Sequence, residues 1–307
     1  MAPAESEQTR AQVAAHFYRG DCAAQIDLFL RDFTPPRLCG APIGGIVPHA
    51  GWSYSGRTAA RVFETLRATA NPEALVLLGA MHRHHVDAPA IYPEGAWATP
   101  LGPVPIDHEL ATLILAQARG GVRASKSAHS DEHSIEVQLP MIRHLMPETR
   151  VVPIAVPPTL AALNLGATLA SVVAHRPGTV VVASTDLTHY GAPYGYAPAG
   201  TGEAGLRYLE ENDRRIITRA LELDAGGLLR EAARHHNACG AGAFAAAVEF
   251  ARRRGAASGH VLEYTTSHAA SPETEFEMGV GYVAMVFAPG RRPTSNSTKS
   301  ISATPPR

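Results

Sequence analysis

The chain has 307 residues, 27 basic against 28 acidic side chains for a formal net charge of −1, and 45% hydrophobic residues. That apolar content suffices for a sizeable core and is too high for a disordered chain. The balanced charge argues against a nucleic-acid binder, because no basic excess is available to neutralise phosphates. Three widely spaced cysteines, Cys22, Cys39 and Cys239, form no CxxC pair and no disulfide framework, which fits a reducing compartment. The stretches Leu160–Ala174 and Ala241–Phe250 are too short and too interrupted to span a bilayer. The opening MAPAESEQTR lacks the basic flank and apolar run of a leader. A cytoplasmic protein that touches no membrane is the expectation.

Residues 1–10 are expected to fray and residues 289–307, polar and Pro-rich, to be a disordered tail, leaving one domain over 11–288. In chain order the pattern predicts a helix over Ala23–Phe33, a strand over Ile43–Val47, a helix over Arg57–Thr69 and a strand over Ala74–Leu78. Helices follow over His108–Ala118 and Glu132–Met146, the latter ended or kinked by Pro140. Next come a strand over Arg150–Val156, a helix over Leu160–Ala174 and a strand over Thr179–Ala183. Gly191–Gly205 reads as a mobile loop or lid within the domain. Helices over Glu203–Leu223 and Gly240–Arg253 and strands over His260–Tyr264 and Val280–Phe287 complete the series. The first four strands are apolar without alternation, as strands buried on both faces are. Such an order predicts an α/β domain with a mostly parallel or mixed central sheet flanked by helices.

Three of these strands run into polar turns that carry histidine. Ile43–Val47 leads to Pro48-His49-Ala50-Gly51, Ala74–Leu78 to Gly79-Ala80-Met81-His82-Arg83-His84-His85, and Thr179–Ala183 to Ser184-Thr185-Asp186-Leu187-Thr188-His189-Tyr190. Ligands of parallel sheets sit beyond the carboxyl ends of the strands, so parallel neighbours would bring these imidazoles together. Any single histidine is more often a surface or hydrogen-bonded core residue; three such strand ends together point to a shared site. Cys239, in Asn237-Ala238-Cys239-Gly240, precedes a helix whose N–H groups would favour its thiolate; the plainer reading is a small buried residue. His133 and Glu136 would share a helix face three residues apart and line a pocket or orient a ligand, or else form an ordinary acidic first turn. The chain has no GxGxxG followed by an acid, no Walker A, no GxSxG and no HExxH.

The blocks VPHAGWSYSG (47–56), LLG…H (77–82), DEHSIEVQLP (131–140), STDLTHYG (184–191) and NACG (237–240) resemble, in order, the signature blocks of the Memo family. The resemblance implies the fold of the class III extradiol ring-cleavage dioxygenases. By position it implies that His49, His82 and Cys239 are metal ligands, with Asp186 and His189 beside them and His189 in the place of the dioxygenases' acid/base histidine. Two departures stand out. A thiolate replaces the dioxygenase carboxylate, which shifts preference toward softer metals. The family's Gly-Pro-x-His-His reads Gly79-Ala80-Met81-His82 here; counting from Gly79 selects His82, while His84 or His85 could take that place.

The expected function is that of a mononuclear metal protein with redox or oxygen-dependent chemistry, iron or copper favoured and zinc also fitting. Trp52, Tyr54 and Tyr190 would wall the cleft, with His133 and Glu136 in the substrate pocket. The alternatives are a non-catalytic module that binds a peptide or small ligand, and a metal-assisted hydrolase with His189 or Glu136 as base. An AMMECR-like protein and a radical-SAM enzyme are partners implied by the resemblance alone.

Overall fold

The computed structural model describes residues 9–84, 86–270, 272 and 275–290. In chain order the strands are β1 (Thr9–Arg10), β2 (Gly44–Val47), β3 (Ala74–Gly79), β4 (Ala90–Ile91), β5 (Ala96–Trp97), β6 (Val104–Pro105), β7 (Arg123–Ala124), β8 (Arg150–Ala155), β9 (Thr179–Ser184), β10 (His189–Tyr190), β11 (Ala256–Thr266) and β12 (Gly279–Pro289). The helices are α1 (Cys22–Leu30), α2 (Trp52–Thr69), α3 (His108–Ala118), α4 (Leu139–Leu145), α5 (Leu160–Val173), α6 (Gly202–Leu221), α7 (Ala225–His235), α8 (Ala241–Arg253) and α9 (Ser267–Ala270).

Four strands, in the order β2-β9-β3-β8, form the parallel centre of the larger sheet. Every residue of GGIV, ALVLLG and TVVVAS in β2, β3 and β9 is buried, because helices cover both faces. β12 lies antiparallel to β2 and also pairs with β10 and β11, while β4 lies antiparallel to β8 and carries β7. The sheet is therefore mixed, with parallel strands where the expected site should be. β1, β5 and β6 make a second, small sheet.

One apolar layer joins the sheet to α3, α5, α7 and α8 through side chains such as Leu110, Leu169, Leu228 and Phe244. The other joins it to α1, α2 and α4 through Ile26, Phe63, Leu139 and Ile142. Each such side chain contributes about 1.5–3 kcal/mol of transfer free energy, and the two layers make a single α/β domain. Among the described residues no helix is long and apolar enough to cross a membrane.

Four expectations change. Residues 131–135 are irregular, Glu136–Gln138 is a 3-10 turn, and the helix begins only at Leu139, with Pro140 in its first turn, where a missing N–H costs nothing. His133 and Glu136 consequently do not share a helix face. Thr9 and Arg10 do not fray: they pair with Ala96 and Trp97, because Glu136 supplies a buried partner for the Arg10 guanidinium at 2.6 Å. Gly191–Gly205 is tied down rather than free as a lid, through Tyr190 Oη to Gly200 O at 2.7 Å and Ala199 N to Tyr190 Oη at 3.0 Å. α7 was not foreseen, since Gly226 and Gly227 in its first turn weaken the pattern, while Asp224 caps it by accepting from Gly227 N at 2.8 Å. Pro289 closes β12, and residues 291–307 of the expected tail lie outside the described residues.

Candidate metal centre

The parallel register of β2, β9 and β3 sets the three histidine-bearing turns side by side at their carboxyl ends. His49 follows β2 and is buried; its ring centroid lies 5.1 Å from that of His82, which follows β3, and 5.3 Å from that of His133. Cys239 arrives from the other direction, just ahead of α8, with its Sγ 3.1 Å from His49 Nε2. Gly240 permits that approach, since a Cβ there would stand 2.4 Å from Ser184 O.

Hydrogen bonds fix which nitrogen of each ring is free. Ser184 Oγ donates its one proton to Ser134 O at 2.8 Å, so at 2.9 Å from His49 Nδ1 it must accept. His49 then carries its proton on Nδ1 and a lone pair on Nε2. The His82 Nδ1 lies 3.0 Å from Glu132 Oε1, which as a carboxylate only accepts, so its lone pair also falls on Nε2. Two imidazoles held from behind with Nε2 unprotonated are what a metal site requires. Burial, reinforced by the nearby His82 and His133, pushes the His49 pKa well below its ordinary value and keeps the ring neutral.

Glu132 is the functional residue that the sequence reading passed over. It accepts from His82 N at 2.7 Å and Ser134 N at 2.8 Å and lies 3.5 Å from His133 Nδ1. Burial works to raise its carboxyl, but the hydrogen bonds from His82 and the Ser134 N–H outweigh it and hold the group below the usual carboxylate range. The only signal in the sequence was its place beside His133. Ser184, the last residue of β9, carried none.

Asp186 accepts from His49 N at 2.7 Å, and burial raises its carboxyl against the pull of His189 and two backbone N–H groups. The expected thiolate at Cys239 is not what the surrounding protein groups favour. The thiol lies two residues before α8, and burial followed by the Asp186 carboxylate pushes it up. A metal ion would reverse that balance by taking the thiolate directly.

A cavity of about 380 Å³ opens over these groups, lined by Phe17, His49, Tyr54, His82, His133, Asp186, His189, Tyr194, His268, Met278 and Tyr282 among others. Of the expected lining residues, Tyr54 and His133 are there. Trp52 is not: its indole is buried and donates to Val137 O at 3.0 Å. Tyr190 is fully buried against Tyr208 and Phe276, and Tyr194 takes the wall instead. Glu136 is fully buried away from the cleft, accepting from Arg10, Tyr18 and the N–H groups of Val13 and Ala14. Those bonds moor the segment that carries Phe17, whose ring stacks on His133 at 4.6 Å. His84 is exposed and pairs with Asp131, away from the donor cluster; His85 lies outside the described residues.

Among the described residues two groups of donors have mutual distances within 4.8 Å: His49, His82 and His133, and His49, Asp186 and Cys239. His49 is common to both, so the implied set His49, His82 and Cys239 spans the two rather than forming one. By the chemistry of its donors, either group suits a transition ion.

The Memo-like protein family model matches residues 10–286. The chain is 36% identical over 286 residues to MEMO1 family proteins of Thermococcus onnurineus and Thermococcus kodakarensis, covering 90% of this chain and 97% of each relative. A MEMO1 family protein of Methanopyrus kandleri is 36% identical over 252 residues, 80% of this chain and 83% of its own. An uncharacterized protein of Escherichia coli K12 aligns structurally at a TM-score of 0.49 and 14% identity, over 78% of this chain and 98% of that one. A match that runs from the buried Arg10 into β12 takes in both ends of the fold and everything that builds the cleft, and the chain belongs to the Memo family.

Proposed function

We propose that this cleft holds one transition-metal ion through His49, His82 and Cys239 and carries out redox chemistry on a small molecule bound against it. One observation carries the reading. Ser184 and Glu132 hold both imidazoles from behind so that each Nε2 presents its lone pair, and a sulfur stands 3.1 Å from that of His49. A nitrogen and thiolate donor set favours iron, copper or zinc over hard cations, and iron or copper there supplies one-electron chemistry.

The chain's own residues supply the rest. The Nδ1 of His189 is 3.1 Å from Leu187 O, so that nitrogen is the donor and Nε2 is left basic, free to take a proton from a molecule in the cleft. Asp186 holds the His49 backbone and shapes the field around His189. Phe17, Tyr54, Tyr194 and Tyr282 provide apolar and aromatic walls.

Cobalt(II) titration of metal-free protein tests the site. One equivalent should bind with a sulfur-to-cobalt charge-transfer band, which Cys239→Ser should lose, and His49→Ala should bind at least about 100-fold more weakly. Equal metal content in His49→Ala and the parent protein would remove the site. A second reading has its own support, because the His49, His82 and His133 rings converge without the sulfur. Three imidazoles suit zinc and an activated water, hence hydrolysis. Retention of full affinity in Cys239→Ser, with loss in His133→Ala, would select it.

A further inference from the structure

Behind the cleft, Asn212 and Asp213 occupy one buried turn of α6. Neither touches the donor cluster, yet each holds a loop that does. Thr188 N donates to Asp213 Oδ1 at 2.8 Å, and Asn212 Nδ2 donates to Thr188 Oγ1 at 3.1 Å. Thr188 sits between Asp186 and His189. On the other side, Asn237 Nδ2 donates to Asn212 O at 2.9 Å, and Asn212 Nδ2 also reaches His235 O at 2.9 Å. Asn237 stands two residues before Cys239. The two loops then meet in front, where Asp186 N donates to Cys239 Sγ at 3.3 Å and Cys239 N to Asp186 O at 3.3 Å.

A buried carboxylate is costly, and an apolar side chain of similar size would serve stability as well or better. Two hydrogen-bond donors hold Asp213, Thr188 N–H and the Tyr264 hydroxyl at 2.8 Å. The fold also makes room for it: at Gly281 of β12, a Cβ would stand 1.7 Å from Asp213 Oδ2. Gly281 in turn pairs with the same loop, accepting from Leu187 N at 2.8 Å and donating to Thr188 O at 3.1 Å.

We propose that Asn212 and Asp213 are positioning residues, a clamp on α6 that sets the separation of the loop bearing Asp186 and His189 from the loop bearing Cys239. That these loops need a fixed separation rests on the metal reading above; the clamp itself is a property of the metal-free chain and is tested there.

The measurement is the iodoacetamide alkylation rate of Cys239 in metal-free protein, followed on its own peptide by mass spectrometry and set beside the melting temperature. Asp213→Ala should raise the rate about tenfold or more by letting the loops part. Asp213→Ala/Gly281→Ala refills the vacated space without restoring the bond to Thr188, so stability should return while the rate stays high. Asp213→Asn keeps an acceptor for Thr188 N–H and should return the rate to that of the parent. A double variant that recovers both stability and the parent rate would show that Asp213 only fills space, and would overturn the clamp. Should the double variant not regain stability, Asp213→Asn decides: the parent rate supports the clamp, and a rate like that of Asp213→Ala overturns it. Cobalt(II) titration of the same proteins separates the two ideas. Failure of the parent to bind metal removes the metal reading and leaves the alkylation result standing.

Discussion

The two ends of the central sheet both open into cavities, and the larger is at the wrong end for chemistry. At the amino ends of β3, β8 and β9 a hollow of about 640 Å³ is lined by Glu73, Asp107, Glu109, Glu148, Arg150 and Arg176 among others. At the carboxyl ends the cavity is about 380 Å³. In the first, charges answer one another: Arg176 lies 3.2 Å from Asp107 and 3.4 Å from Glu109. In the second, the ring nitrogens of His49 and His82 that face away from the cleft are bonded to oxygen acceptors, and the opposite ones turn their lone pairs inward, that of His49 toward Cys239 Sγ. Volume therefore says little here. What distinguishes the site is that buried acceptors turn the lone pairs of both rings toward the cleft, where they can serve as ligands.

If that contrast is right, variants at the carboxyl end should be costly and variants at the amino end should not. The largest effect is expected from Glu136→Ala. It removes the acceptor for Arg10, Tyr18 and two backbone N–H groups, and leaves the Arg10 guanidinium buried without its partner. Breaking such a pair costs about 3–5 kcal/mol, and Phe17 should leave its place over His133. Urea unfolding measures the loss; a cost under about 1 kcal/mol would mean that the mooring of the amino-terminal segment is not what the contacts suggest.

Glu132→Gln comes next. The amide cannot accept from His82 N and Nδ1 and from Ser134 N as the carboxylate does, so the His82 ring loses its fixed tautomer. Cobalt(II) affinity should fall about 10- to 100-fold with little change in the far-ultraviolet circular dichroism. Unchanged affinity would assign the second imidazole to another histidine.

The sheet and its parallel centre were legible because β2, β3, β8 and β9 are apolar runs that only a doubly covered sheet accommodates. The convergence of His49, His82, Asp186 and His189 followed from that, since parallel neighbours end at the same side. Glu132 and Ser184 were not legible, nor was Gln138, whose Nε2 donates to Pro48 O at 2.8 Å and to Ser184 Oγ at 3.3 Å. Their roles depend on residues 131–138 leaving helical geometry and folding back over the strand ends, a tertiary preference that local periodicity cannot report. Trp52 and Tyr190 misled for the opposite reason. Aromatic residues next to a motif can be turned into the core as readily as into the cleft, and only packing decides.

A third and smaller effect separates the buried acid on α6 from ordinary carboxylates. Burial raises Asp213 to about 7; the bonds from Thr188 and Tyr264 oppose this, and the charge of Glu210 adds to it. The unfolded value is near 3.9. Between those limits the folded chain keeps a proton that the unfolded chain has lost, so this group's contribution is fully present below about pH 4 and disappears as pH rises to about 7. The sign is the reverse of that for a salt-bridged carboxylate. Asp213→Asn removes the titration, so stability of the parent relative to the variant should fall from pH 5 to pH 8 in denaturant unfolding. Taking the difference cancels the buried histidines, whose sign is opposite. A flat difference would return Asp213 to an ordinary pKa.

The smallest effect belongs to the larger cavity. Arg176→Ala removes both ion pairs at the amino end, yet one partner, Glu109, is exposed and already hydrated. Asp107 is buried, but its Oδ1 caps α3 by accepting from Leu110 N at 2.9 Å, and that bond does not involve Arg176. Only Oδ2 loses a partner, at the rim of an open hollow where water replaces it. The expected cost is about 1 kcal/mol or less, with cobalt(II) affinity unchanged. A loss beyond about 2 kcal/mol would make this end a built polar site in its own right. A shift in metal affinity would show the two ends to be coupled through β3 and β9, and the contrast between them would fail.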